Sequence, residues 1–138
     1  LPSKIDASKI LLVGIRDWER EEIKLRQQKY GIKHLTPKEV SKNSDLIIKW
    51  LKECGASKVL IHFDLDVLEP KELIAAWWHC GIGLPSYANE NGMKIKEVIR
   101  VINDIAKEKE IVGLTIAEHI PRVEIMIKNI LDRLPLIN

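Results

Sequence analysis

Short runs of aliphatic residues alternate with helical patterns along the chain, and this alternation constrains the fold more than any other feature. Buried strands are predicted at residues 9–15, 32–35, 58–63 and 110–116. Helices are predicted at residues 18–30, 36–54, 94–107 and 123–134. Strands joined by helices form mostly parallel sheets that are covered on both faces. The alternation therefore predicts an α/β fold, organised as one domain over residues 1–138.

The clearest local signal is the start of the second predicted helix. Thr36 can cap this helix, Pro37 fits its first position, and Glu39 completes a capping box. Gly31 and Gly55 stand where the first and second helices are expected to stop. These residues fix where the chain leaves one element and enters the next.

The composition is that of a globular protein, and it argues against several classes of partner. Of the 138 residues, 46% are hydrophobic and 30% are charged, with a formal net charge of +2. This near-balance and the scattered basic residues argue against nucleic-acid binding. No apolar run approaches the roughly 20 residues of a membrane helix. With only Cys54 and Cys80 and no paired-cysteine motif, the chain is expected in a reducing, cytoplasmic location.

Acidic residues follow the third predicted strand, and the working groups of parallel α/β sheets gather beyond the carboxyl ends of strands. Asp64 and Asp66 come directly after Phe63. Side chains alternate along a strand, so both carboxylates are expected on the same side. A divalent cation such as Mg²⁺ or Mn²⁺ would relieve their mutual repulsion, and carboxylate oxygens are suitable ligands for it. A solvated acidic turn is the alternative.

A second polar group follows the last predicted strand. If residues 58–63 and 110–116 are neighbouring strands, Glu118 opens onto the same crevice as the two aspartates. His119 comes next in the chain. Simpler alternatives exist, since Glu118 can cap a helix or pair with Arg122, and His119 can be an exposed loop imidazole. The equivalent positions at two strand ends give a shared site the same support as these simpler alternatives.

Three segments carry motifs that occur together: LVGIRD at residues 12–17, FDLDVLEP at residues 63–70, and GLTIAEHIP at residues 113–121. They resemble, respectively, the G-x-R, F-D-x-D-x-x-D-P and G-L-D-x-x-E-x-x-P motifs of the arginase/agmatinase/formiminoglutamase (ureohydrolase) family. The motifs occur in the family's order and span almost the whole chain. Together they are much more specific than the D-x-D spacing alone.

The resemblance implies a three-layer α/β/α hydrolase fold, present here in part, with two Mn²⁺ ions bridged by a hydroxide in the complete site. It implies that Asp64 and Asp66 are Mn²⁺ ligands and that Glu118 contacts a guanidino or amidino substrate. We further expect His119 to line the same pocket. Paired metal ions activate a shared water, and a carboxylate binds a planar cation well. The products would be an amine with urea or formamide. Family members form trimers or hexamers, so a homo-oligomer is expected.

Departures from the family pattern limit what the chain can do alone. His62 stands where Ser is usual, Glu69 stands where Asp is usual, and residues 71–80 replace a pocket-shaping loop, so the substrate stays open. The family's G-G-D-H and D-A-H-x-D motifs, which supply further metal ligands and the acid–base histidine, do not occur in the sequence. We therefore predict the carboxyl-terminal portion of a ureohydrolase, without catalytic residues of its own and inactive in isolation.

Two other functions remain open from the sequence. The altered loop, His62 and Glu69 are compatible with a non-catalytic scaffold or oligomerisation segment of a degenerate relative. A Mg²⁺-dependent haloacid-dehalogenase-like phosphatase also places D-x-D after an apolar strand, but the Gly-Thr pair of that family does not follow Asp66. Trp77 and Trp78 can close a pocket or a subunit contact, although ordinary packing also explains them.

Overall fold

A computed structural model describes residues 5–15, 21–69, 72, 92–118 and 124–135 of the chain. Its strands are β1 (Leu11–Val13), β2 (Lys33–Leu35), β3 (Lys58–Asp64) and β4 (Glu110–Ala117). Its helices are α1 (Glu21–Tyr30), α2 (Pro37–Val40), α3 (Asp45–Glu53), α4 (Ile95–Glu108) and α5 (Glu124–Leu131). Single turns of 3₁₀ helix span Ala7–Lys9 and Leu65–Val67. The predictions for Arg16, Trp77, Trp78, Cys80 and the rest of residues 71–80, apart from Glu72, lie outside the described residues.

Both strand pairs in the described part of the chain are parallel, which confirms the predicted α/β class. Strand β1 pairs with β2, and β3 pairs with β4 in a register that sets Asp64 opposite Ala117. Strand β1 is shorter than predicted. The Asp6 carboxylate accepts a hydrogen bond from the Ser8 N–H and caps the 3₁₀ turn that takes up Lys9.

The inward face of β3 and β4 packs against an amphipathic helix. Phe63 is buried in β3, whereas Leu60, which points to the other face, is 70% exposed. Helix α4 buries Val98, Val101, Ile102 and Ile105, the spacing of a single apolar stripe. Burying such a side chain stabilises the fold by about 1.5–3 kcal/mol, so this face of α4 anchors the sheet that carries the acidic residues.

The predicted continuous helix over residues 36–54 is wrong, because the chain forms two helices with a break at residues 41–44. The Arg100 guanidinium donates hydrogen bonds to the carbonyl oxygens of Val40 and Ser41, which a continuous helix would use internally. The Asp45 N–H donates instead to Asn43 Oδ1 at 3.1 Å. Serine and asparagine side chains compete with the helical hydrogen bonds in this way, and a long-range arginine completes the break.

Within the described ranges, no helix combines the length and the apolar character needed to cross a membrane.

The capping box at the start of α2 is confirmed. Thr36 Oγ1 accepts from the Glu39 N–H at 3.4 Å, and Glu39 Oε2 accepts from both the N–H and the hydroxyl of Thr36 at 2.7 Å. These hydrogen bonds from Thr36 lower the pKa of the Glu39 carboxyl below its ordinary value. A carboxyl whose pKa is depressed by folding stabilises the fold above its unfolded pKa, and this contribution is lost as the pH falls through the folded pKa.

We predict that Thr36→Ala lowers the free energy of unfolding by about 1 kcal/mol at pH 7. We also expect the wild-type chain to lose stability as the pH falls below about 4.5, the ordinary pKa of Glu, and the variant to lose less of it. Urea unfolding followed by circular dichroism at pH 7, 4.5 and 3 measures both effects. Ser57→Ala, at an exposed position, is the control. Equal pH dependence in wild type and Thr36→Ala would contradict the assignment.

Candidate functional site

The acidic residues lie at the carboxyl end of β3, where the strand passes into a 3₁₀ turn. Asp64 ends the strand, and its Oδ1 accepts a hydrogen bond from the Asp66 N–H at 2.9 Å. The turn is anchored to the hydrophobic core, because the side chains of Leu65 and Leu68 are fully buried. Two apolar anchors and one side chain-to-backbone bond therefore set the geometry of both aspartates.

Asp66 is not a strand residue, so the expected strand alternation does not apply to it. Strand β3 ends at Asp64, because the Asp64 carboxylate caps the turn and pulls the following residues out of the extended conformation. The Oδ1 atom of Asp66 is buried. The two carboxylates are thus fixed by a turn rather than by the pleat of a sheet, and their assignment as metal ligands remains a prediction.

Met93 is hydrogen-bonded to the turn that carries Asp64 and Asp66 (residues 64–68, the acidic turn), a role that no local sequence pattern predicts. Its N–H donates to the Val67 carbonyl at 2.8 Å, and its carbonyl accepts from the Glu69 N–H at 2.9 Å. The Met93 side chain is 2% exposed. Gly14, at the end of β1, lies against the same turn. Gly14 fell inside the strand predicted at residues 9–15, so no local pattern indicated this contact.

Glu118 reaches the same edge of the sheet as the aspartates. Strands β3 and β4 are direct neighbours, Asp64 is paired with Ala117, and Glu118 is the next residue. The conditional prediction that the two strands are neighbours is confirmed. Glu118 is exposed and has φ 60°, a left-handed conformation that is unfavourable for a residue with a side chain. His119, predicted to line the same pocket, lies outside the described residues.

Two departures from the family motifs face each other across the β3–β4 pair. His62 occupies the usual Ser position, Thr115 occupies the Asp position of G-L-D, and the register pairs them directly. His62 Nδ1 lies 2.7 Å from Thr115 Oγ1, within hydrogen-bond distance. Both residues are exposed on the outward face of the sheet, so the two positions that depart from the motifs are in direct side-chain contact there.

Asp64 and Asp66 suit a Mn²⁺ ion in the kind of donor that they offer, but not in number. Carboxylate oxygens are appropriate hard ligands, and an octahedral site has about six ligands. Among the residues that the structure describes, no group of three or more His, Cys, Asp or Glu side chains could hold a metal ion. The two aspartates therefore fit as part of a metal site whose other ligands are not among these residues.

An open cavity of about 670 Å³ lies elsewhere, between the start of α3 and helix α4. It is lined by charged residues of both signs, and Asp104 accepts hydrogen bonds there from Lys107 and Ser44. These bonds, the one from Lys107 foremost, lower the pKa of the Asp104 carboxyl. Neither Asp64, Asp66 nor Glu118 lines this cavity, so we assign it no part in the candidate site.

We predict that Glu118→Gly stabilises the chain. A left-handed conformation costs a residue with a side chain about 1–2 kcal/mol, and glycine loses about 0.5–1 kcal/mol in chain entropy, so a net gain of about 0.5–1 kcal/mol is expected. Glu118→Ala is the matched control, because alanine removes the carboxylate but keeps the strain. The free energy of unfolding from urea titration distinguishes the two. Equal stability of the Gly and Ala variants would show that the residue is not strained.

Comparison with solved structures shows an arginase-like fold. The chain is similar to Entamoeba histolytica arginase, crystallised in complex with L-ornithine, with a TM-score of 0.71 and 22% identity over 96% of this chain and 43% of that one. Helicobacter pylori arginase gives a TM-score of 0.72 and 18% identity over 94% and 44%. Formimidoylglutamase from Bacillus subtilis gives 0.68 and 18% over 84% and 35%. The predicted arginase-like α/β fold is confirmed.

This chain spans less than half the length of each of these structures. No curated protein sequence matches the chain. A family model described as "Arginase family" matches residues 2–129, which is most of the sequence and includes all three motifs. The chain therefore belongs to the arginase family.

Proposed function

We propose that this chain is the carboxyl-terminal portion of a Mn²⁺-dependent ureohydrolase that cleaves a C–N bond of a guanidino or amidino compound. One observation carries the proposal: in a chain of the arginase family, Asp64 and Glu118 stand at the carboxyl ends of two paired parallel strands, with Asp66 in the adjoining turn. Ligand and catalytic groups collect at this edge of parallel sheets. The phosphatase alternative gains no support from the family match.

The two aspartates would hold the metal, and the local structure supports that role. The 2.9 Å bond from the Asp66 N–H to Asp64 Oδ1 holds the Asp64 carboxylate against the turn that carries Asp66, so the Asp64 carboxylate is oriented before any ion arrives. Bound Mn²⁺ supplies charge stabilisation and an activated water near neutral pH. Because Leu65 and Leu68 are buried on either side of Asp66, the turn resists the displacement that carboxylate repulsion would cause.

Glu118 would bind the cationic end of the substrate. A carboxylate pairs with a planar guanidinium or amidinium through charge-assisted hydrogen bonds, and such a contact orients the carbon that is attacked. The exposed position of Glu118, one residue beyond the partner of Asp64, leaves it accessible to a small molecule. The structural neighbours include an arginase, a formimidoylglutamase and an agmatine ureohydrolase, so several substrates of this class are candidates.

The proposed site is incomplete within this chain. The other ligands and the acid–base histidine would come from the portion of the family fold that the matched structures contain beyond this chain's share. We further propose that residues 1–138 form a single α/β domain and that His119 lines the pocket. We also propose that the protein is a trimeric or hexameric homo-oligomer in the cytoplasm.

The direct test uses the complete polypeptide that contains this chain, loaded with Mn²⁺ and assayed against arginine, agmatine and formiminoglutamate. Urea or formamide release from one of them is expected. We predict that Asp64→Asn and Asp66→Asn lower manganese content and turnover together. The control is Asp132→Asn, at an exposed position directly after α5, which should leave both quantities unchanged. Full turnover with normal manganese in the two variants would refute the ligand assignment. Absence of turnover on every substrate would favour the scaffold alternative.

We predict that the isolated 138-residue chain releases no urea from arginine or agmatine with Mn²⁺ present, because two carboxylates do not complete the site. Weak Mn²⁺ binding should still be visible. Paramagnetic broadening by Mn²⁺ in nitrogen-15 spectra is expected first at the amides of residues 64–68, and Asp66→Asn should abolish it. Measurable manganese-dependent urea release would disprove the prediction that the active site is incomplete in this chain. Uniform broadening over the surface would disprove selective Mn²⁺ binding at Asp64 and Asp66.

A further inference from the structure

The end of β1 is held in place by its neighbour β2. The N–H groups of Gly14 and Ile15 both donate to the carbonyl of Leu35, at 2.8 Å and 3.2 Å. Gly14 is buried and has φ +84°, in the left-handed region. The backbone at this position is therefore fixed from the side of the β1–β2 pair, and it has little freedom to move away from whatever it touches.

What Gly14 touches is the turn that carries Asp66. A Cβ atom added at Gly14 would overlap Val67 Cγ2 and lie 3.0 Å from Met93 Sδ. The turn cannot easily move away from such a side chain, because the Val67 carbonyl accepts a hydrogen bond from the Met93 N–H at 2.8 Å and the Leu68 side chain is fully buried. A side chain at position 14 would thus act on a segment that is pinned from the other side.

We propose that Gly14 is a positioning residue for the acidic turn. Because glycine has no side chain, the end of β1 packs directly against Val67, and this contact fixes the placement of Asp66 relative to Asp64. The link is short: Val67 adjoins Asp66, whose N–H is bonded to the Asp64 carboxylate. As far as it concerns Mn²⁺, the inference rests on the proposed function. Its steric part rests on the contact alone.

The chain supplies matched controls for the backbone conformation. Gly31 and Gly55 both have φ +66°, and a Cβ added at either would meet nothing within 4 Å. Alanine at these positions imposes the strain of a left-handed residue without a collision. A difference between Gly14→Ala and the two controls therefore isolates the contact with Val67 and Met93.

The experiment adds Mn²⁺ to the nitrogen-15-labelled chain and to Gly14→Ala, Gly31→Ala and Gly55→Ala, and follows the amides of residues 64–68. We expect Gly14→Ala to require at least about tenfold more Mn²⁺ for half-maximal broadening, since disturbing the groups that orient metal ligands typically costs about 10–100-fold in affinity. The controls should stay close to wild type even though all three variants lose thermal stability. Equal Mn²⁺ requirements in all four proteins would overturn the metal-positioning role.

A second variant tests the steric mechanism. Val67→Ala removes the Cγ2 atom that a Cβ at position 14 would overlap. The flexible Met93 side chain can then shift to relieve the remaining close contact with this Cβ. The double variant Gly14→Ala/Val67→Ala should therefore recover most of the Mn²⁺ response that Gly14→Ala loses. Failure of this rescue would overturn the proposed contact as the cause.

A metal-free readout separates this inference from the proposed function. The Asp66 amide proton shift reports its hydrogen bond to Asp64, and it should move in Gly14→Ala more than in either control. If wild type shows no selective Mn²⁺ broadening, the ligand assignment fails, and this shift alone decides whether Gly14 positions the turn. An Asp66 shift that moves no more than in the controls would overturn the positioning role.

Discussion

The parallel pairing of β3 with β4 is the constraint on which the rest of the candidate site depends. Seven residues of β3 are matched along β4, and this register places Glu118 next to the partner of Asp64. Paired residues of the two strands are more than fifty positions apart in sequence, and helix α4 lies between the strands. Its buried apolar stripe holds the pair in place. A shift of one residue would turn the core side chains outward and separate the three acids.

The sequence was sufficient wherever short-range patterns decide the structure. The apolar runs predicted β3 and β4, the helical pattern over residues 94–107 predicted α4, and Thr36 with Glu39 predicted a capping box that is present. The motifs predicted the arginase family, and the family model agrees. These features depend on periodicity and on neighbours three or four residues apart, which a single sequence displays directly.

The remaining features depend on contacts between distant segments. Arg100 interrupts the predicted second helix from about sixty residues away, and Met93 clamps a turn that it follows by 26 residues. Gly14 contacts Val67 from a different strand pair. The strand alternation assumed for Asp66 failed for a local reason, because the Asp64 carboxylate caps a turn at that position. No local pattern encodes the contacts that Arg100, Met93 and Gly14 make.

We propose Asp64 and Asp66 as two ligands of a manganese site that other parts of the family fold would complete. Anomalous diffraction at the manganese edge, from crystals of the complete polypeptide grown with Mn²⁺, tests it most directly. We expect two adjacent manganese peaks, with both aspartates in direct contact and Glu118 at the opening. Manganese bound away from Asp64 and Asp66 in an active protein would contradict it.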